Sequence, residues 1–305
     1  MSMPKSGRTR RWRGYLLLLH PGPSAVCTTV TTLAGWSAWR QARSQRPGPG
    51  PWRSGLAWGS AAMALAQAST GVLNDAFDAP WDRLYQTYKP IPSGLVPRGH
   101  AWAIGLATGG LALLCAARAG SSALRVMAIG LASGWSYSLG LSRSPLSFVP
   151  FAAGLATVPV LGPAAVRARL PQQGQVTMLA AGLGLGLHLA NGEPDIERDR
   201  MAGRRSLPVL LGASGSRLGS ELLLVAGAIA VVVGTPPEGR RWAMAAATVT
   251  AGLLLGDRGR RAGLRSAGSH PFVVPALAGG SLAAGWLLGQ SRAIGGHTSG
   301  EIGHL

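Results

Sequence analysis

Nine apolar runs, each about long enough to cross a bilayer core of about 20 helical residues, dominate this chain. They cover roughly 15–39, 55–74, 99–117, 122–141, 147–166, 174–192, 217–234, 241–256 and 270–290. Only 13% of the 305 residues are charged, against about a quarter in a soluble domain. The 45 glycines suit transmembrane helices that pack closely. No alternating ten-residue pattern recurs, which excludes a membrane barrel. The expected fold is an all-α, polytopic bundle of about nine transmembrane helices.

Hydropathy also sets the domain plan. Residues 1–13 form a basic tail, 14–290 a single transmembrane domain, and 291–305 a disordered Ser-, Gly- and His-bearing tail. The first apolar run continues to about Trp39, longer than a cleaved signal core, so it reads as an uncleaved span. Arg10-Arg11 is then a basic membrane flank rather than a twin-arginine signal. With the N-terminus inside, Lys and Arg divide 18 inside to 11 outside, which favours a cytoplasmic N-terminus in the cell membrane. The net charge of +18 lacks the water-exposed basic face that nucleic-acid binding needs. Cys27 and Cys115 lie in apolar runs without CxxC spacing and read as core residues.

Against this background the acids are informative. Seven of the 11 fall in two short stretches, Asp75, Asp78 and Asp82, then Glu193, Asp195, Glu197 and Asp199. Each stretch follows an apolar run, and both fall on the same side of the topology. At about 100° per helical residue, Asp75 and Asp82 point within about 20° of each other, and Asp78 within about 60° of Asp75. Asp195 and Asp199 are i, i+4 neighbours. Asn74 and Asn191 stand beside the clusters. Two carboxylates about 6 Å apart repel by about 3 kcal/mol at an effective dielectric near 20, so something cationic must offset them. Hard divalent ions prefer carboxylate oxygen, and Mg²⁺ uses one or two carboxylates with substrate phosphates. The plain alternative is a solvated face on which Arg83, Arg198, Arg200, Arg204 and Arg205 pair with the acids.

The first stretch, Asn74-Asp75-x-x-Asp78-x-x-x-Asp82, is followed by Lys89-Pro-Ile-Pro-Ser-Gly94. It resembles the NDxxDxxxD signature of UbiA-type intramembrane prenyltransferases. The second, Asn191-xxx-Asp195-xxx-Asp199-xxx-Gly203 with Leu207-Pro208 after it, is similar to that family's second motif, and Tyr137-Ser138 stands where it commonly has a Tyr-Ser step. The resemblance implies a UbiA-like bundle around a central cavity and Mg²⁺ held by Asp75, Asp78, Asp82, Asp195 and Asp199. It implies prenyl diphosphate contacts from Asn74, Arg83, Lys89, Arg143, Asn191 and Arg204, and catalytic roles for Asp78, Asp199 and Tyr137. The implied reaction moves a prenyl group from its diphosphate to an aromatic or quinone-like acceptor in the membrane, with a cytoplasmic active site. A terpene cyclase would use the same ionising site. A transporter fits less well, because the acids gather at one face rather than the midplane. Ser142-Arg143 replaces the family's Lys after the Tyr-Ser step, and His20-Pro21 stands where an Arg is common.

Other residues carry less. His188 reads either as a general base or as a hydrogen-bonded packing residue. Trp12, Trp39, Trp52 and Trp242 fit an interfacial belt. Glu221 lies early in a span, and Asp257 and Glu238 read as loop residues.

Overall fold

The computed structural model describes residues 5–45, 52–263 and 273–299, with side chains for 11–44, 52–258 and 273–290. Residues 1–4, 46–51, 264–272 and 300–305 lie outside the described residues, and with them the start of the expected basic tail, the start of the ninth run and the end of the expected C-terminal tail. Eleven α-helices follow in order: α1 (Lys5–Leu18), α2 (Pro21–Gln45), α3 (Trp52–Tyr85), α4 (Arg98–Ala119), α5 (Ser121–Ser138), α6 (Phe148–Ala165), α7 (Gln173–Gly192), α8 (Ile196–Met201), α9 (Leu207–Gly234), α10 (Arg240–Gly263) and α11 (Val273–Ser299). There is no strand among the described residues.

Among the described residues nine helices reach 18 residues or more, and each overlaps one predicted run. Four of them, α4, α6, α9 and α11, combine that length with strong hydropathy. Length and hydropathy together therefore support four spans among the described residues. The first run is not one helix. It breaks at His20 (φ 49°), because Pro21 disfavours helical backbone in the residue before it. Helix α11 runs to Ser299, so residues 291–299, expected in a disordered tail, are helical. Asp257 lies within α10 rather than a loop.

The long helices pack on their chain neighbours, and α11 returns to pack on α2. Small residues face inward. In α4 the buried positions are Ala101, Gly105, Gly109, Ala112, Ala116 and Ala119, while Leu106, Leu111 and Leu114 are exposed. In α9, Leu218, Leu222, Val225, Ile229 and Val233 form one exposed stripe at helical spacing. A soluble protein does not display so much contiguous apolar surface; lipid tails cover such a surface at no cost, leaving helix contact to small residues. A very close crossing joins α2 and α6, where a Cβ on Gly162 would lie 1.9 Å from the Thr31 carbonyl oxygen. The Thr31 hydroxyl donates to Val158 O there at 2.8 Å.

Helix α3 positions the first acid cluster. At 34 residues it is about 50 Å long, well beyond the bilayer core. Its last turns, from Asn74 onward, carry the acids past the apolar run as continuous helix. Pro80 interrupts the ladder there, since it has no N–H to offer the carbonyl of Ala76. The Arg98 Nε–H donates to that carbonyl instead, at 2.7 Å.

Candidate active site

The segment after α3 folds back over it. Ile91 and Val96 are buried with Leu18, Val72, Ala76, Ala79 and Ala101, and Gly94 takes φ 77°, a left-handed turn that glycine adopts without strain. That packing lays Lys89 across the helix end. Its ammonium lies 3.3 Å from Asp75 Oδ1 and 2.9 Å from Asp82 Oδ2. The seven-residue spacing does place these two carboxylates on one face. Asp75 also accepts from His20 Nε2 at 3.0 Å. A Cβ on Gly71 would lie 2.5 Å from the His20 ring, so that glycine leaves the imidazole its space. Sequence reasoning passed over His20 as a partner. The signal was Pro21, which forces the elbow that turns the ring toward α3.

Both carboxylates are nearly inaccessible, Asp75 at 5% and Asp82 at 2% exposure, and they respond differently. Burial pushes the Asp75 carboxyl up, but His20 and Lys89 outweigh it and hold it below the ordinary range. Burial prevails at Asp82, whose pKa is raised despite Lys89. Lys89 is itself raised, because the two carboxylates outweigh the cost of burying its charge.

Asp78 faces elsewhere. Arg143, in the 3₁₀ turn Leu141–Arg143 after α5, reaches it at 3.4 Å and lies 5.0 Å over the Phe77 ring. The Arg143 carbonyl accepts from the Arg205 N–H at 3.0 Å, which ties the segment after α8 to the same place. There Arg204 binds Asp199 at 3.0 Å and lies 5.0 Å over Trp81, while Arg198 binds Asp195 at 2.8 Å and lies 5.9 Å over Tyr85. The two acid stretches therefore meet at one end of the bundle. Burial raises the Asp199 pKa; Arg204 lowers it in part, and Asp195 and Asp78 add to the rise. Asp78 and Asp199 thus sense each other's charge. The Tyr137 side chain faces Asn191 and lies within electrostatic reach of Asp78, Asp195 and Asp199. Ser138 Oγ is 3.5 Å from Asn74 Oδ1.

A solvated face accounts for little of this. Glu197–Arg200 is an exposed pair, but the Asp199–Arg204 side chains are only 15% and 16% accessible. Arg83 is exposed and makes no ion pair with the acids among the described residues. It follows Asp82 directly, and one residue turns the helix about 100° away from the acidic face. Glu193 pairs with Arg217 and Glu221 with Arg258. His188 is buried, 2.9 Å from Ser147 Oγ, which also accepts from the Leu207 N–H. With Tyr137 and Phe151 it forms an aromatic group with ring centres 5.4–5.8 Å apart. His188 is placed as the hydrogen-bonded packing residue, joining α7 to the starts of α6 and α9.

Among the described residues no three His, Cys, Asp or Glu side chains lie close enough to enclose a metal by themselves. The donors here are hard oxygens, the carboxylates of Asp78, Asp195 and Asp199 and the amides of Asn74 and Asn191. Such a set fits Mg²⁺, which takes few protein ligands and completes its shell with phosphate and water. Arg143 Nε and Arg198 Nε are buried without a partner, so the site also holds unused donors for an anion.

A family model described as the UbiA prenyltransferase family matches residues 28–271. The digeranylgeranylglyceryl phosphate synthase of Natronomonas pharaonis is 27% identical over 231 residues, 74% of this chain and 77% of that protein. The chloroplastic chlorophyll synthase of Arabidopsis thaliana is 27% identical over 169 residues, 48% of this chain and 41% of that protein. A solved UbiA homologue from Archaeoglobus fulgidus, bound to DMAPP and Mg²⁺, superposes with a TM-score of 0.66 at 18% identity, covering 90% of this chain and 98% of that one.

Proposed function

The chain belongs to the UbiA prenyltransferase family, and from that premise we propose that it transfers a prenyl group from an allylic prenyl diphosphate to an aromatic or quinone-like acceptor within the membrane, using Mg²⁺. The observation that carries the reading is the meeting of Asp78 and Asp199, from opposite halves of the sequence, with Arg143 on the one and Arg204 on the other.

In this reading Asp78, Asp195 and Asp199 hold the metal with Asn74 and Asn191 beside it. Asp75 and Asp82, which the sequence assigns to metal as well, instead fix Lys89, as their two contacts to its ammonium support. Bound Mg²⁺ supplies positive charge that stabilises the departing diphosphate. Lys89, Arg143 and Arg204 offset the rest of that charge from fixed positions, so little reorganisation accompanies bond breaking. The C–O bond breaks with its electron pair going to the diphosphate. The acceptor's π electrons attack the allylic carbon, and the ring then releases a proton. The Tyr137 ring, packed on Phe151 and His188, faces the developing cation, which a ring face attracts. Helix packing keeps water from that cation, and the prenyl tail lies between helices among lipid. The two curated relatives are named for different products, so the acceptor class rests on the motif resemblance. The site faces the cytoplasm, as the 18 to 11 division of Lys and Arg supports.

Purified protein is incubated with prenyl diphosphates of several lengths and Mg²⁺, with and without phenolic, quinone-precursor and indole acceptors, and products are read by mass spectrometry. A prenylated aromatic product that requires the acceptor is expected. Hydrocarbon formed without an acceptor would replace transfer by cyclisation, and no diphosphate release with any pair would overturn the reading.

A further inference from the structure

The two ends of the bundle hold their arginines differently. The ion pairs of Asp75, Asp78, Asp82, Asp195, Glu197 and Asp199 lie at the end that carries the acids. At the other end Arg40, Arg43, Arg53 and Arg241 lie 4.9–5.5 Å over Trp36, Trp39, Trp52 and Trp242. None of these four has a carboxylate partner among the described residues, and Glu238 is the one described acid there. Tryptophan rings with guanidinium groups above them suit a membrane–water boundary, and this boundary carries a positive field.

A cavity of about 500 Å³ opens at that end between the start of α7, the end of α9 and the start of α10, with Gln172, Gln175, Thr235 and Arg240 in its wall. It shares Gln175, Ala230 and Gly234 with a second cavity of about 610 Å³. The second is apolar and runs along α7 and α9 past Met178, Leu179, Leu183, Leu223 and Gly227 to Trp286. Both open on the flank where Met178 and Val233 are more than 70% exposed. Their size is that of a ligand site.

We propose that this groove binds one anionic phospholipid, its phosphate in the mouth beside Arg240, Gln172 and Gln175 and an acyl chain along α7 and α9. A soluble anion has no use for the apolar length, and a lipid without a phosphate has none for Arg240 and the two glutamines in the mouth; an anionic amphiphile matches both. Guanidinium and amide N–H groups are suited to phosphate oxygens. The site lies at the opposite end from Asp78 and Asp199 and does not depend on the reaction proposed for them.

The test is native mass spectrometry of the full chain in detergent, with phosphatidylglycerol or diacylglycerol of identical chains. Phosphatidylglycerol is expected to be retained preferentially by about tenfold, the size of one charge-assisted hydrogen bond. Arg240→Gln removes that preference while leaving diacylglycerol retention unchanged. Gly182→Leu, at a position in the groove wall with open space beside it, weakens retention of both lipids. Equal retention of the two lipids by the unaltered chain would overturn the proposal whatever the variants do. So would a preference that survives Arg240→Gln, retention that survives Gly182→Leu, or full displacement of the lipid by free glycerol phosphate.

Discussion

The Arg204 guanidinium lies 5.0 Å from the centre of the Trp81 ring while it binds Asp199 at 3.0 Å. One side chain thus touches the end of α3, which bears the first acid stretch, and the carboxylate that closes the second. Arg204→Ala leaves Asp199 partly buried and unpaired; Trp81→Ala removes the ring alone. If the ring holds the arginine in place, the two changes are not additive, with a coupling of about 0.5–2 kcal/mol. A double-mutant cycle on kcat/KM measures it, and additive losses would show that the stacking is incidental.

Asp78→Asn or Asp199→Asn is expected to lower kcat by about 10²–10³-fold, the size of losing one major electrostatic contact in a transition state. Membrane insertion is unchanged, because Asn matches Asp in size and neither residue lies in an apolar run. Removing divalent metal with a chelator stops diphosphate release by the unaltered protein. Near-normal turnover by either variant would remove that residue from the metal site.

Protonation separates the site from its scaffold. Asp199 has a raised pKa through burial, opposed by Arg204. As pH falls it takes up its proton before an ordinary aspartate does. Metal ligands must be deprotonated, so kcat/KM should fall on the acid side above the usual aspartate range, and Arg204→Ala should move that limb to higher pH. Asp75 is held below the ordinary range by His20 and Lys89 against burial. Its stabilising contribution is full above the ordinary aspartate pKa and is lost only as pH falls through the depressed one. For Lys89, raised by the same carboxylates against burial, the contribution is full below the ordinary lysine pKa and is lost as pH rises through the raised one. Activity should therefore fail in acid before the thermal midpoint drops. A midpoint that fell first would contradict this order.

The spacing of the acids was legible because α3 continues as helix beyond its apolar run; Asp75 and Asp82 share Lys89 as a seven-residue step requires. The meeting of the two stretches followed from an even number of crossings between them. Periodicity alone put Asp78 with its neighbours, whereas it faces Arg143 from another helix, a contact between residues 65 apart. Hydropathy located the first run but not its break, since one Pro barely changes a sliding average yet α1 ends at Leu18, three residues before it. Arg83 looked equivalent to the other basic residues until its helical phase turned it to solvent. Arg204 over Trp81 and His20 on Asp75 depend on tertiary packing and leave no local pattern.

The His20 contact can be tested without altering either partner. A Cβ on Gly71 would come within 2.5 Å of the imidazole, and the ring, a side-chain end, moves more cheaply than backbone. Gly71→Ala should leave the fold intact, displace His20 from Asp75 and lower kcat/KM by about the worth of one charge-assisted hydrogen bond, about tenfold. Adding His20→Ala to Gly71→Ala should cost little more. Independent losses would mean that Gly71 acts by another route.

Pro80 and Arg98 make a separable pair. Pro80 removes the N–H that would meet the Ala76 carbonyl, and Arg98 Nε supplies the replacement at 2.7 Å. Arg98→Met leaves that partly buried carbonyl unsatisfied, at a cost of about 1–3 kcal/mol, and loosens the helix end that carries Asp78 and Asp82. Thermal stability and kcat/KM should fall together. Pro80→Ala restores the backbone donor, so in that background Arg98→Met should cost much less. An equal cost in both backgrounds would assign Arg98 to something other than repairing the break, whereas rescue would show that α4 stabilises the acid-bearing end of α3 through a single carbonyl.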